Sequence, residues 1–112
     1  MHELSICHAI SGIVERRREG QHVERVNLDV GGLRQVVPTT LTYCWDVATR
    51  DTPLDGSKLS VNHITPQIVC NACGATTVLK HPVFRCGHCG GTDTAVDRGD
   101  ELMITSLVIQ EA

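Results

Sequence analysis

Apolar residues recur at helical spacing along the first stretch of the chain. From Ser5 to about Arg18, the residues Ile6, Cys7, Ile10, Ile13 and Val14 share one stripe, the three-to-four-residue recurrence of an amphipathic helix. Arg16, Arg17 and Arg18 crowd its last turn, where cations complement the helix dipole, and Gly20 supplies a terminator. The same wheel places His8 on the opposite, solvated face. From Val23 to Val30 the period drops to two: Val26, Leu28 and Val30 alternate with polar residues, which predicts a half-buried strand ended by Gly31-Gly32. Pro38 suits the first position of a second helix, whose Leu41, Cys44, Trp45 and Ala48 share a core-facing side. Thr52-Pro53 and Asp55-Gly56 mark a break. Leu59, Val61 and His63 then alternate as a second strand. After Gly99, the run Leu102 to Ile109 is strongly apolar, and its β-branched content favours a third strand.

Between Cys70 and about Asp93 the apolar period disappears and glycines and cysteines take its place, which predicts a loop-rich insert. The order helix, strand, helix, strand, insert, strand implies an α+β fold. Its economical form is a three-stranded sheet covered by two helices, with a zinc-ribbon-like four-cysteine module projecting from it. The boundaries read as residues 1–66 and 98–112 for the α/β domain and 67–97 for the inserted metal module.

Composition narrows the function. At 112 residues the chain cannot bury a large core, so a metal clip would add stability that packing cannot supply. A formal charge of −3 gives no general attraction to nucleic-acid phosphates, and one each of Phe, Tyr and Trp cannot build base-stacking platforms. No stretch reaches the length of a membrane span, and no basic and apolar leader opens the chain. Six cysteines in a non-secreted chain read as ligands and thiols rather than disulfides, and the expected compartment is cytoplasmic.

Cys70-Asn-Ala-Cys73-Gly and Cys86-Gly-His-Cys89-Gly repeat one motif across twelve intervening residues. Two thiolates with two residues between them grip one ion from a tight turn. A second copy completes the closed tetrahedral shell of a structural zinc. A rubredoxin-like iron centre would want aromatic shielding that is missing here, and a pair of redox disulfides would not explain two matched knuckles. Four thiolates leave no open coordination position, so catalysis is not expected at this ion. His81 and His88 could enter the shell or its surroundings, but the favoured reading is two solvated loop histidines.

The chain opens Met1-His2-Glu3-Leu4-Ser5. A large second residue hinders removal of the initiator methionine, so His2 is expected to stay second. The Met1 amine, the His2 amide nitrogen and the His2 imidazole can chelate one ion in fused rings, and the Glu3 amide or carboxylate is near enough to add a ligand. Nitrogen-rich, near-planar coordination suits Ni(II) or Cu(II). Taken alone this is a weak signal, since a histidine near a frayed, exposed terminus is common.

Together, the opening pentapeptide, Gly31-Gly32-Leu33-Arg34, the Pro38-Thr39-Thr40-Leu41 helix start, the paired knuckles and the closing Gly99-Asp100-Glu101-Leu102-Met103-Ile104 resemble the HypA/HybF family of hydrogenase nickel-incorporation proteins. The resemblance covers essentially the whole chain. It implies a cytoplasmic nickel metallochaperone, not an enzyme, that delivers Ni2+ to the precursor of the nickel-iron hydrogenase large subunit. A nickel-handling GTPase of the HypB type would be its partner. His2 matches the family's nickel-binding histidine and Glu3 its neighbour, while Cys70, Cys73, Cys86 and Cys89 match the ligands of the structural Zn2+. Where some relatives carry an acidic residue near the second helix start, this chain reads Val36-Val37-Pro38-Thr39. The fourth nickel ligand is therefore open among water, the terminal amine, Glu3 and a partner histidine.

Competing readings attach to the remaining residues. Cys7 and Cys44 lie on apolar stripes, where cysteine behaves as a small hydrophobe rather than a soft ligand. His22 and His63 read as strand residues with packing or surface roles, and the arginine run as a solvated helix end. A thin sheet invites edge pairing between copies of the chain, as in a homodimer. The rival function is a zinc-ribbon module binding protein or nucleic acid, but only Lys80 and Arg85 supply cations between the knuckles.

Overall fold

The computed structural model describes residues 2–110. In chain order these form α1 (Glu3–Arg17), β1 (Val23–Gly31), a 3-10 turn (Gly32–Arg34), α2 (Pro38–Thr49), β2 (Lys58–Ile64), β3 (Gln67–Cys70), β4 (Thr76–Val78), β5 (Thr94–Arg98) and β6 (Leu102–Ile109). Two compact units divide the chain. The first comprises Met1–Asp29, Val36–Asn62 and Met103–Ala112; the second comprises Val30–Gln35 and His63–Leu102.

The predicted α+β architecture is observed: two helices, a three-stranded sheet and a separate four-cysteine module. Helix α1 begins two residues before Ser5, with His2 at the N-cap and no side chain capping the first amides. It buries Cys7, Ile10 and Val14, whereas Ile13 is 40% exposed, so the apolar stripe is narrower than its sequence suggests. The Arg18 N–H bonds the Val14 carbonyl, and Glu19 (φ 54°) and Gly20 (φ 75°) then turn the chain out of the helix. That turn is the stop that Gly20 predicts.

Pro38 opens α2, which buries Leu41, Trp45 and Thr49 while Cys44 and Ala48 sit half-buried at the margin. The two helices pack on one another, and the Cys7 thiol donates to the Leu41 carbonyl at 3.3 Å. Trp45 is fully buried, and burial of such a side chain is worth roughly 3 kcal/mol. That holds only because its indole N–H is matched. It donates to Ser57 Oγ at 3.1 Å, and Ser57 in turn donates to the Leu54 carbonyl at 2.6 Å.

The first sheet has the order β2-β1-β6, with β1 in the middle. Val26, Leu28 and Val30 of β1 are buried at alternate positions, as their period requires. The Gln110 N–H reaches the His22 carbonyl, and Asn27 Nδ2 reaches Ser106 Oγ. One partner number rises as the other falls, so β6 runs antiparallel to β1.

The region predicted as a loop-rich insert is more ordered than expected. It carries β3, β4 and β5 as a second three-stranded sheet in the order β4-β3-β5, both pairings antiparallel. These strands are three to five residues long. They are pinned by the cysteine turns rather than by an apolar period, so periodicity has nothing to detect. Ile68, Leu79, Cys70 and Cys86 are its buried residues.

Three segments of the second unit meet at close quarters. A Cβ placed on Gly99 (φ 110°) would fall 2.4 Å from Pro66 Cα, and one on Gly32 would fall 2.7 Å from Pro66 Cδ. Pro66 is thus held between two glycines. The Leu33 N–H donates to the Gly99 carbonyl at 2.8 Å, and the Gly31 N–H to the Glu101 carbonyl at 2.7 Å.

Candidate metal centre

The knuckles fold as sequence spacing dictates. Cys70 ends β3, and the next turn returns the chain: the Gly74 N–H bonds the Cys70 carbonyl at 2.9 Å, with Gly74 at φ 78°. The second knuckle repeats the geometry, the Gly90 N–H bonding the Cys86 carbonyl at 3.0 Å, with Gly90 at φ 76°. The glycine after each pair is therefore a conformational requirement. Asn71 and Asp93 tie the first knuckle to the approach of β5 through a backbone bond of 2.9 Å and a side-chain bond of 3.1 Å.

These turns bring Cys70, Cys73, Cys86 and Cys89 together, with all four sulfurs within 4.8 Å of one another. The pairs Cys70–Cys89 and Cys73–Cys86 stand at 3.6 Å. A disulfide would need about 2.05 Å. A tetrahedron of metal–sulfur bonds of about 2.3 Å sets its sulfurs about 3.8 Å apart, so the spacing fits a thiolate-bound divalent ion such as zinc.

The electrostatics fit as well. The Cys73 amide lies 3.5 Å from Cys70 Sγ, the His88 and Cys89 amides lie 3.3 and 3.4 Å from Cys86 Sγ, and the Gly91 amide lies 3.4 Å from Cys89 Sγ. Amide bonds, led by that of Cys89, lower the Cys86 thiol to about 6, and the Cys73 amide leads the lowering of Cys70. Cys73 is pushed up to about 12: the Ala75 amide favours its thiolate, but desolvation and the neighbouring sulfurs outweigh it. Cys89 also rises, as Cys70 and Cys86 outweigh the Gly91 amide. Amide bonds thus favour charge on Cys70 and Cys86 while the crowding of four sulfurs opposes it on Cys73 and Cys89, a conflict that a bound cation relieves.

His88 takes part through its backbone amide. His81 lies outside the cluster, which among the described residues is the one group of three or more metal-capable side chains.

At the other candidate site, His2 is exposed and its carbonyl accepts the Ile6 N–H at 3.0 Å. Glu3 begins α1 and is only 8% exposed. The Met1 amine lies outside the described residues. Burial pushes the Cys7 thiol up to about 12, with Cys44 and Glu3 adding to the effect. Cys7 is therefore a buried, protonated thiol, as its place on the apolar stripe suggests.

One grouping escapes sequence reading altogether. His63, at the end of β2, and His81, in the loop after β4, line the same pocket with Lys80. They are 18 residues apart in unrelated elements, and neither lies in a motif, so no sequence signal joins them.

Comparison with known proteins agrees with the fold. A family model described as HypA, the hydrogenase/urease nickel-incorporation metallochaperone, matches residues 1–109. The chain is 36% identical to the hydrogenase maturation factor HypA of Desulfosudis oleivorans, over 99% of this chain and 100% of that one. It is 34% identical to HybF of Morganella morganii, over 96% and 97% of the two chains. Its fold is similar to the solution structure of the nickel metallochaperone HypA from Helicobacter pylori, with a TM-score of 0.69 at 17% identity and 97% coverage of both chains. The chain belongs to the HypA family of nickel-incorporation metallochaperones that act in hydrogenase maturation.

Proposed function

We propose that this protein binds Ni2+ at its N-terminus, through His2, Glu3 and the Met1 amine, and delivers it to the precursor of the nickel-iron hydrogenase large subunit. The observation that carries this reading is the whole-chain family match combined with an exposed His2 at an uncapped helix start. Residues 1–66 and 98–112 form the nickel-binding domain in this reading and residues 67–97 the zinc module. The resident Zn2+ is held by Cys70, Cys73, Cys86 and Cys89 and has an architectural role. Nickel is cargo rather than a reacting centre, so the protein is not an enzyme. Its partners are a nickel-handling GTPase of the HypB type and the hydrogenase precursor, in the cytoplasm.

Physical chemistry favours a releasable complex at this place. The first amides of an uncapped helix lack intrahelical partners and face outward. They also form the positive end of the helix dipole, which opposes a bound cation. Amide nitrogens that lose their protons to the metal cancel that opposition, so binding is linked to proton release and weakens in acid. Glu3 is turned into the protein, which favours its amide over its carboxylate as a ligand. A terminal chelate opens one ligand at a time, as transfer requires.

The test is a calorimetric titration of Ni(II) into zinc-loaded protein that keeps Met1, beside the His2→Ala variant. One nickel per chain, lost in the variant with zinc retained, is the expected result. Binding that survives loss of His2 unchanged would overturn the terminal site. Salt-sensitive retention of DNA or RNA in a gel would instead favour a zinc-ribbon interaction module.

A further inference from the structure

We propose that the second unit carries an anion-binding pocket, separate from both metal sites, that takes a carboxylate or phosphate group. The cavity measures about 240 Å³ and lies wholly within that unit. Gln35, His63, Thr65, Lys80 and His81 are its polar lining residues, while Leu33 and Leu79 are among its apolar ones. Each of those five polar side chains can donate a hydrogen bond: an ammonium, two imidazoles, a hydroxyl and a carboxamide. Among the described residues no aspartate or glutamate lines the pocket, although the chain carries 13 acidic residues against 10 lysines and arginines. A donor-rich, acid-free cavity in an acidic protein is selective for negative charge.

The walls are held in place. A Cβ on Gly32 would lie 2.7 Å from Pro66 Cδ and 3.4 Å from His63 Cε1, so only glycine lets the Gly32-Leu33 arm close on the imidazole. Gln35 adopts a left-handed backbone (φ 55°) that a non-glycine residue rarely takes. Such strain collects where a ligand must be clamped. The Leu79 N–H bonds the Pro66 carbonyl at 2.8 Å, and the Val83 N–H bonds the His81 carbonyl at 2.7 Å. These bonds fix the wall that carries Lys80 and His81.

A second transition-metal site is the natural competitor, because two imidazoles are present. Two observations count against it. Lys80 adds a cationic residue to the lining, and no third metal-capable side chain joins the pair among the described residues. The anion has two possible sources, a free oxyanion or an acidic side chain of a protein partner.

The experiment is an NMR titration of the zinc-loaded full chain at constant ionic strength, with inorganic phosphate in one arm and a triglutamate peptide in the other. Saturable shifts of the His63, Thr65, Lys80 and His81 amides, weakened about tenfold in Lys80→Ala and in His81→Ala, are expected. Both residues are exposed, so retained zinc and an otherwise unchanged spectrum will show that the variants fold. The arm that saturates first identifies the source. Absence of saturable shifts with both probes overturns the proposal, as do shifts indifferent to both substitutions. Saturable paramagnetic broadening by Ni(II) alone, centred on His63 and His81, would replace it with a metal site.

Discussion

The carbonyl of Gly99 occupies the space where a side chain on Gly31 would begin: a Cβ on Gly31 would fall 2.0 Å from that oxygen. The contact is backbone against backbone, with no flexible end to give way. Gly99 has the further constraint of φ 110°, with Pro66 on its other side. Gly99→Ala is expected to destabilise the zinc-loaded protein by about 3 kcal/mol, combining overpacking with backbone strain. Urea denaturation measures it. A cost within error of zero would mean that the three segments can part without penalty.

Ser57 is the sole hydrogen-bonding partner of the Trp45 indole among the described residues. Ser57→Ala leaves a buried N–H without an acceptor, at an expected cost of about 1–3 kcal/mol. Trp45 is the only tryptophan, so its fluorescence reports the change directly. An unshifted emission maximum and unchanged stability would show that water or another group takes the place of the hydroxyl.

Cys7 makes a prediction about alkali. Its thiol is pushed from 9.0 to about 12 on folding, so the native state holds a proton that the unfolded chain releases earlier. The associated stability is fully present below about pH 9 and is lost as pH rises toward 12, with the slope of one proton. Cys7→Ala should lose that part of the pH dependence. In the folded protein the half-buried Cys44 should also react with an alkylating reagent well before Cys7.

Removing the metal from the four-cysteine cluster should dissolve β3, β4 and β5, because their short ladders have few other anchors. The loss of their NMR dispersion on treatment with a thiophilic chelator checks this. Reloading should release protons at neutral pH, since Cys73 and Cys89, whose thiols are raised, hold theirs until the ion binds. Affinity should fall more steeply below about pH 6, where Cys86 is protonated as well. Zinc binding that releases no protons would contradict the assignment.

The sequence was most legible where one period ran unbroken. The alternation of Val26, Leu28 and Val30 located β1, and Pro38 located the start of α2 almost to the residue. The four zinc-type ligands were readable because two short motifs encode the turn, the sulfurs and the glycine together. The strands of the second sheet were not readable, since Thr76–Val78 is too short for a period and Gln67–Cys70 merges with its knuckle. Thr49 and Ser57 were missed for a different reason. They are buried polar residues whose burial follows from bonds to Trp45 and Leu54 rather than from their own character. The pocket of His63 and His81 depends on chain crossing, which local pattern does not encode.

The order of the first sheet sets a timetable for synthesis. Its central strand, β1, is made early, but one neighbour, β6, is the last strand to be made. While residues 32–101 are still being added, that side of β1 has no native partner and is open to wrong ones. The two cysteine knuckles are complete before β6 begins, so zinc can be captured while the sheet is still unfinished.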